Sequence, residues 1–232
     1  MTSLPHFPQR QAIIETCLAM NRSGVNQGAS GNLSVRVEDG FLITPSSLPY
    51  DEMAPADVVE MGFDGTYLGD RRPSSEWRFH RDILRARPDV EVVLHAHPTF
   101  ATALAVHGRG IPSFHYMVAL AGGDSIRCAP YATFGTQELS DNALAALDGR
   151  LACLLANHGM IVLGKTLKAT LALAVEVETL ARQYLYANLL GAPVILPPDE
   201  IERVAEKMRR MKYGQSPDDG AAPEDTARPR EA

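Results

Sequence analysis

The segment Glu91 to His97 is apolar and β-branched, and Pro98 closes it, so it predicts a core strand that stops at the proline. Its last three residues are His95-Ala96-His97. In a strand, residues i and i+2 point to one face, about 6.6 Å apart along the chain. Two imidazoles on that face can bind one tetrahedral metal; they can equally be two ordinary polar residues near a strand end. A third histidine, His158, lies in Asn157-His158-Gly159, between the apolar runs Leu151–Ala156 and Met160–Leu163. This is either a plain turn at a sheet end or the place where a third imidazole joins the other two. Three histidines with an open position form a common catalytic zinc site.

The other segments predict a mixture of strands and helices. Gln9 to Asn21 carries apolar residues at near-helical spacing, and Gly24 follows. Leu33, Val35 and Val37 alternate with Asn32, Ser34 and Arg36, a strand pattern, and Asp39-Gly40 turns the chain into a second strand, Phe41 to Thr44. A further hairpin is expected from Val58 to Leu68, turning at Asp64-Gly65. A helix should begin near Ser74-Ser75, either of which can cap it, and end before Pro88. Phe100 to Val106 reads as helical, and Cys153 to Leu163 as two short strands about the Asn157–Gly159 turn. Thr166 should cap a long helix to Leu190, apolar on most of its circumference and so buried or set in a subunit interface. Ile201 to Lys212 is a last, charged helix, and the stretch from Gln215, rich in Pro, Asp, Gly and Ala, is expected to be a disordered tail. The fold class is therefore α/β, one domain with a mostly antiparallel or mixed sheet flanked by helices.

Composition narrows the function. The 232 residues are 45% hydrophobic, enough for a substantial core, and the net charge of -6 with no long basic run argues against a nucleic-acid partner. Cys17, Cys128 and Cys153 are scattered and form no CxxC pair, so neither a disulfide framework nor a thiolate zinc site is suggested. No apolar run approaches the roughly 20 residues of a membrane span, and a cytoplasmic protein is expected.

A second chemical signal is Pro73-Ser74-Ser75-Glu76. Two hydroxyls at a helix N-terminus, with its unpaired N–H groups, make a phosphate site; plain N-capping explains the same residues. The loops Gly28 to Asn32 and Thr44-Pro45-Ser46-Ser47 can supply further donors.

Taken together these motifs resemble the class II aldolase and adducin family over about Gln11 to Gly214. The resemblance rests on Gly31-Asn32-Leu33-Ser34, Thr44-Pro45-Ser46, Pro73-Ser74-Ser75-Glu76-Trp77-Arg78-Phe79-His80, His95-Ala96-His97, Ile111 to Met117, Cys128 to Thr136, Asn157-His158-Gly159 and Tyr213-Gly214. It implies a three-layer domain over residues 1–214 and a homotetramer with active sites between subunits. The implied activity is cleavage of a ketose 1-phosphate to dihydroxyacetone phosphate and an aldehyde, the substrate being L-fuculose 1-phosphate, 5-deoxyribulose 1-phosphate or 5-methylthioribulose 1-phosphate. Zinc, replaceable by manganese or cobalt, is held by His95, His97 and His158. Glu76 is the fourth ligand at rest and the base in turnover. Asn32, Thr44, Ser46, Ser47, Ser74 and Ser75 hold the phosphate. Tyr116 handles the proton on the aldehyde oxygen from across the interface, and Tyr213 closes over the site.

The chain departs from the family pattern at Ala29, Ser47 and Asn157, where threonine, glycine and histidine are expected. None of these removes a catalytic group. His80, one turn after Glu76, is expected to support that carboxylate rather than bind metal, and Phe134 either lines the aldehyde pocket or simply packs. The same scaffold also carries a dehydratase, a 4-epimerase, a decarboxylase or a metal-free adducin-like module. The combination of His95, His97, His158 and Glu76 argues against the last. The lysines, Lys165, Lys168, Lys207 and Lys212, lie outside the metal and phosphate motifs, so no Schiff base is needed.

Overall fold

The computed structural model describes residues 4–211 and Tyr213. The expected tail, Lys212 and Gly214 lie outside the described residues. The helices are α1 (Phe7–Arg22), α2 (Trp77–Ala86), α3 (Thr99–Ala105), α4 (Gln137–Ala146), α5 (Leu167–Leu189) and α6 (Pro198–Arg210). The strands are β1 (Asn32–Val37), β2 (Gly40–Ile43), β3 (Val59–Gly62), β4 (Tyr67–Leu68), β5 (Val92–Ala96), β6 (Ile111–Pro112), β7 (Ser125–Ala129), β8 (Ala152–Leu155) and β9 (Gly159–Gly164). They form one sheet in the order β4-β3-β2-β1-β5-β9-β8-β7-β6. Every pair is antiparallel except β7 with β8.

The period-2 alternation of the strands divides the core into two layers. Val92, Leu94 and Ala96 of β5 and Met160 and Val162 of β9 face the layer of α1, α3 and α5, where Ile13, Cys17, Leu104, Val177 and Leu180 meet them. Val93, Ile161 and Leu163 face the other way, against Phe79 and Ile83 of α2 and Leu139 and Ala143 of α4. Each of the Val, Leu, Ile, Phe and Met side chains among them, fully buried, contributes about 1.5–3 kcal/mol. The β5 strand lies inside the sheet, between β1 and β9, and is covered on both faces. Its C-terminal end carries His95.

Thr166 caps α5, its hydroxyl accepting from Ala169 N–H at 3.2 Å. The buried side of α5 is a stripe, Thr170, Ala174, Val177, Leu180, Ala181 and Tyr184, while Val175, Tyr186, Leu189 and Leu190 are exposed.

Two local expectations are corrected. Gly40 pairs with Val37, so the two turn residues are Glu38 and Asp39; a side chain at Gly40 would collide with the Met61 carbonyl of β3. The helix expected at Ser74-Ser75 starts at Trp77, with Glu76 in the cap position. The chain is still extended at Ser74, because Pro45 and Pro73 form a β-bridge with Ser74 N–H donating to Thr44 O and Ser46 N–H to Arg72 O, both at 3.0 Å. The sequence reading also left β6, β7 and α4 unassigned. Ser125-Ile-Arg-Cys-Ala129 has no clean apolar alternation, and α4 buries mainly small residues.

One carboxylate ties α5 to the start of α3, the segment that follows His97. Glu178 of α5 accepts from Phe100 N–H at 2.9 Å and from Ala101 N–H at 2.8 Å, fixing the first turn of α3 just after His97. Glu178→Ala leaves two part-buried donors without partners, a loss of about 1–3 kcal/mol. Urea unfolding of the variant should show a lower midpoint at unchanged slope; an unchanged midpoint contradicts this role.

Candidate active site

His95 is the last histidine-bearing position inside β5, and it is fully buried. Its Nδ1 lies 2.8 Å from Met160 O of β9. A carbonyl only accepts, so Nδ1 carries the proton and the Nε2 lone pair is free. His97 follows on the same face just beyond the strand, and its Nε2 is 2.8 Å from His95 Nε2. His158 comes from the turn between β8 and β9, with Asn157 at φ 54. That turn is pinned by Asn157 N–H donating to Ala105 O at 3.1 Å. Gly159 lets β9 close on β5: a Cβ there would meet Ala96 O and lie 2.7 Å from the ring of His97. The coordinating nitrogens of His95, His97 and His158 all lie within 4.8 Å of one another.

Glu76, 5% exposed, closes the cluster from the start of α2. Its Oε2 is 3.2 Å from His95 Nε2 and its Oε1 3.3 Å from His158 Nε2. Burial pushes this carboxyl up, but the pull of His95, of His158 and of a hydrogen bond from Asn32 outweighs it, so the group is held well below the usual carboxylate range. Burial lowers His97 and His158 to about 4, with His95 adding to the shift and Glu76 opposing it. Both are therefore neutral, ligand-competent imidazoles near neutral pH.

A metal cation fits this donor set. The Nε2 atoms of His95 and His97 face each other at 2.8 Å, that of His95 with its lone pair free. Glu76 Oε1 is buried with no hydrogen-bond partner. Such a concentration of acceptors is unfavourable alone and is resolved by a cation shared among them.

The hydroxyl residues form a shelf beside the cluster. Thr44 is buried, its N–H donating to Leu33 O at 3.1 Å and its Oγ1 accepting from Leu33 N–H at 3.2 Å. Ser74 Oγ accepts from Glu76 N–H at 3.3 Å, a local turn bond that tethers the carboxylate's own backbone. Ser46, Ser47 and Ser75 are exposed, with Ser47 at φ 58. Asn32 is placed differently from a free phosphate donor. It is buried, its Nδ2 donates to Glu76 Oε2 at 3.0 Å, and its Oδ1 lies 2.5 Å from His80 Nε2. Tyr116 and Tyr213 are not brought to the cluster. Tyr116 opens the 3-10 turn Tyr116–Ala121, whose Val118 and Ala121 pack in the α1/α3/α5 layer, whereas His95 faces Phe79 of α2. Both tyrosines are about half exposed. Phe134 is also exposed, in the loop that leaves the end of β7.

Sequence reasoning passed over Ser34, whose Oγ is 2.7 Å from His80 Nδ1. The signal was available: Asn32 and Ser34 share a strand face, and Glu76 and His80 share a helix face.

The model of the Class II Aldolase and Adducin N-terminal domain matches residues 11–185. The chain belongs to the class II aldolase and adducin family. A 5-methylthioribulose-1-phosphate/5-deoxyribulose-1-phosphate aldolase of Rhodospirillum rubrum is 56% identical over 200 residues, covering 86% of this chain and 90% of that protein. An L-fuculose phosphate aldolase of Escherichia coli is 48% identical over 198 residues, covering 85% and 92%. Among solved structures, an L-fuculose 1-phosphate aldolase superposes with a TM-score of 0.84 at 39% identity, covering 86% of this chain and 95% of that one. The chain is a class II aldolase, a lyase of a metal-dependent kind, and the His95–His97–His158 group is its candidate metal centre. Among the described residues, no helix of the aldolase is long and apolar enough to cross a membrane.

The histidines of the aldolase make its metal-free form sensitive to acid. His97 and His158 are lowered from 6.5 to about 4 and His80 to about 3, burial being the main cause in each. The unfolded chain therefore binds protons first as pH falls below about 6.5, and folding stability falls with it. Urea midpoints of the metal-free protein should decline steadily from pH 6.5 to pH 4; a flat or rising midpoint over that window contradicts the assignment.

Proposed function

We propose that the chain is a zinc-dependent aldolase that cleaves a ketose 1-phosphate into dihydroxyacetone phosphate and an aldehyde. The observation that carries this reading is Glu76: a buried carboxylate against two of three converging histidines, with one oxygen left unbonded. It is placed to be a resting ligand and then a base. The names of the similar proteins, which act on 5-methylthioribulose 1-phosphate, 5-deoxyribulose 1-phosphate and L-fuculose 1-phosphate, support a ketose 1-phosphate as substrate.

When bound by His95, His97 and His158, zinc supplies Lewis-acid stabilisation of the charge left on the three-carbon fragment. The protein's residues do the rest. Ser74 and Ser75, with the Thr44–Ser47 turn, hold the phosphate and fix the reacting carbons at a distance from it, while Asn32 is engaged with Glu76 and His80 instead. The C4 hydroxyl proton passes to the Glu76 carboxylate as the C3–C4 bond breaks, the electron pair staying on C3. Glu76 delivers a proton to C3, completing dihydroxyacetone phosphate. In the synthetic direction Glu76 removes that proton. Its burial between α2 and the sheet keeps water from competing for it.

Tyr116 and Tyr213 enter from a neighbouring subunit in this reading. Tyr116 lies in the opposite layer from the metal ligands and near the β6 edge, four strand spacings or about 19 Å from β5. Tyr213 follows α6, which packs against the Tyr116–Ala121 turn, so the two tyrosines are offered together. The exposed apolar residues Tyr186, Leu189, Leu190, Val194 and Ile195 lie at the end of α5 and beyond it. The segment after them is fastened beside Tyr116 by Leu196 N–H to Ser113 O at 2.8 Å. That surface suits a homotetramer whose sites are shared between subunits.

Purified protein should carry about one zinc per chain, as a three-histidine site does. Chelation should abolish release of dihydroxyacetone phosphate from a panel of ketose 1-phosphates, and zinc, cobalt or manganese should restore it. Glu76→Gln should retain zinc but lose about 10²–10⁴ in turnover. Exchange of the hydroxymethyl protons of dihydroxyacetone phosphate with deuterated water should fall in parallel. If Glu76→Gln exchanges those protons at the wild-type rate with zinc bound, Glu76 is not the base.

A further inference from the structure

Behind Glu76 lies a row of buried polar side chains that touches neither the metal ligands' nitrogens nor the phosphate shelf. Ser34 and His80 are 0% exposed and Asn32 4%. Ser34 Oγ is 2.7 Å from His80 Nδ1, His80 Nε2 is 2.5 Å from Asn32 Oδ1, and Asn32 Nδ2 is 3.0 Å from Glu76 Oε2. The chain follows from two periodicities. Asn32 and Ser34 are two apart on β1 and share a face of the sheet. Glu76 and His80 are four apart at the start of α2 and share a face of the helix. Asn32 is also the direct partner of His95 across β1 and β5, which sets its amide beside the metal cluster.

The protons in this row can be assigned from its ends. Glu76 is a carboxylate and only accepts, so the Asn32 amide turns its NH₂ to Glu76 and its oxygen to His80. An amide oxygen only accepts, so His80 Nε2 carries the proton. A neutral imidazole then has a bare Nδ1, which accepts from the Ser34 hydroxyl. Turning the amide over would set Asn32 Oδ1 against a carboxylate oxygen, two acceptors in contact in a dry site. The row therefore has a direction, and all of its donors point towards Glu76.

We propose that Ser34, His80 and Asn32 form a positioning relay that holds Oε2 of Glu76 and so aims the unbonded Oε1 at the reacting carbon. The proposal rests on the reading of Glu76 as the proton-transfer base. It gives a role to a histidine that binds no metal. It also explains why Oε2 is engaged from behind while Oε1 is bare. His80 acts through Asn32 and does not touch substrate.

The test compares His80→Phe, which keeps a ring in the stack with Phe79 but removes both hydrogen bonds, with His80→Gln. The glutamine amide can place an N–H near the position of Nε2 and restore the donor to Asn32. In His80→Phe, with zinc content and tetramer unchanged, kcat should fall about 10–100-fold, as expected when a reacting group is misplaced by around 1 Å. KM should stay within about twofold, because the phosphate shelf is untouched. Exchange of the hydroxymethyl protons should fall by the same factor, and His80→Gln should recover most of both rates. The relay is overturned if His80→Phe, folded and zinc-loaded, exchanges at the wild-type rate, or if His80→Gln is as slow as His80→Phe. In wild-type protein, the ¹⁵N spectrum of His80 should show a protonated Nε2 and a bare Nδ1; the opposite tautomer overturns the relay whether or not the variants fold. Glu76→Gln separates the two claims: wild-type exchange in that variant removes the base itself, whereas slow exchange there with fast exchange in His80→Phe removes only the relay.

Discussion

Glu76 is a carboxylate buried among imidazole nitrogens, and the arrangement of the protein around it answers the cost of that placement. An ionised group removed from water is strongly unfavourable unless charge and hydrogen bonds replace the solvent. Here the replacement comes from both sides. Asn32 donates to Oε2 from β1, and on the other side the His95 and His158 rings, from β5 and the β8–β9 turn, lie where they can hold a cation beside the carboxylate. In the proposed reading, a cation held by the three histidines would complete the compensation, and the carboxylate would be an exchangeable ligand rather than a permanent one.

The sheet is built to make this possible. The β5 strand lies between β1 and β9, so the residues that flank His95 are supplied directly by its neighbours: Asn32 from one side and the Met160 carbonyl from the other. The helix that delivers Glu76 packs on the same face through Phe79 and Ile83. On the opposite face, Glu178 fixes the turn of α3 that follows His97. His95 and Glu76 are thus held by β5 and by the start of α2, and the segments that carry His97 and His158 are tied to α3 by backbone bonds. The turn that carries Tyr116 and the helix α5 lie in the other layer.

Much of this was readable from local sequence. The pairing of His95 with His97 follows from the two-residue strand period alone, and the turn at Asn157–Gly159 was visible as a polar interruption between apolar runs. What brings His158 to them was not visible, because it depends on β9 pairing with β5 and on Gly159 allowing the backbones to close. The start of α2 was misplaced by two residues for the same kind of reason: a long-range bridge between Pro45 and Pro73 keeps Ser74 extended. Asn32 was read as a phosphate residue, and its engagement with Glu76 and His80 emerges only when β1 and α2 are packed together. The β7 strand and α4 escaped because their sequences are too mixed or too small-sided to show a period.

The proposed function requires one cation shared by His95, His97 and His158, with Glu76 bound to it only at rest. Anomalous diffraction at the zinc edge, with and without an unreactive analogue of dihydroxyacetone phosphate, tests it most directly. The account predicts a single zinc peak bound by those three histidines and by Glu76 in the free enzyme. With the analogue bound, the same three histidines should remain and Glu76 should be withdrawn. A metal held by other residues, or a Glu76 that stays bound beside the analogue, would contradict it.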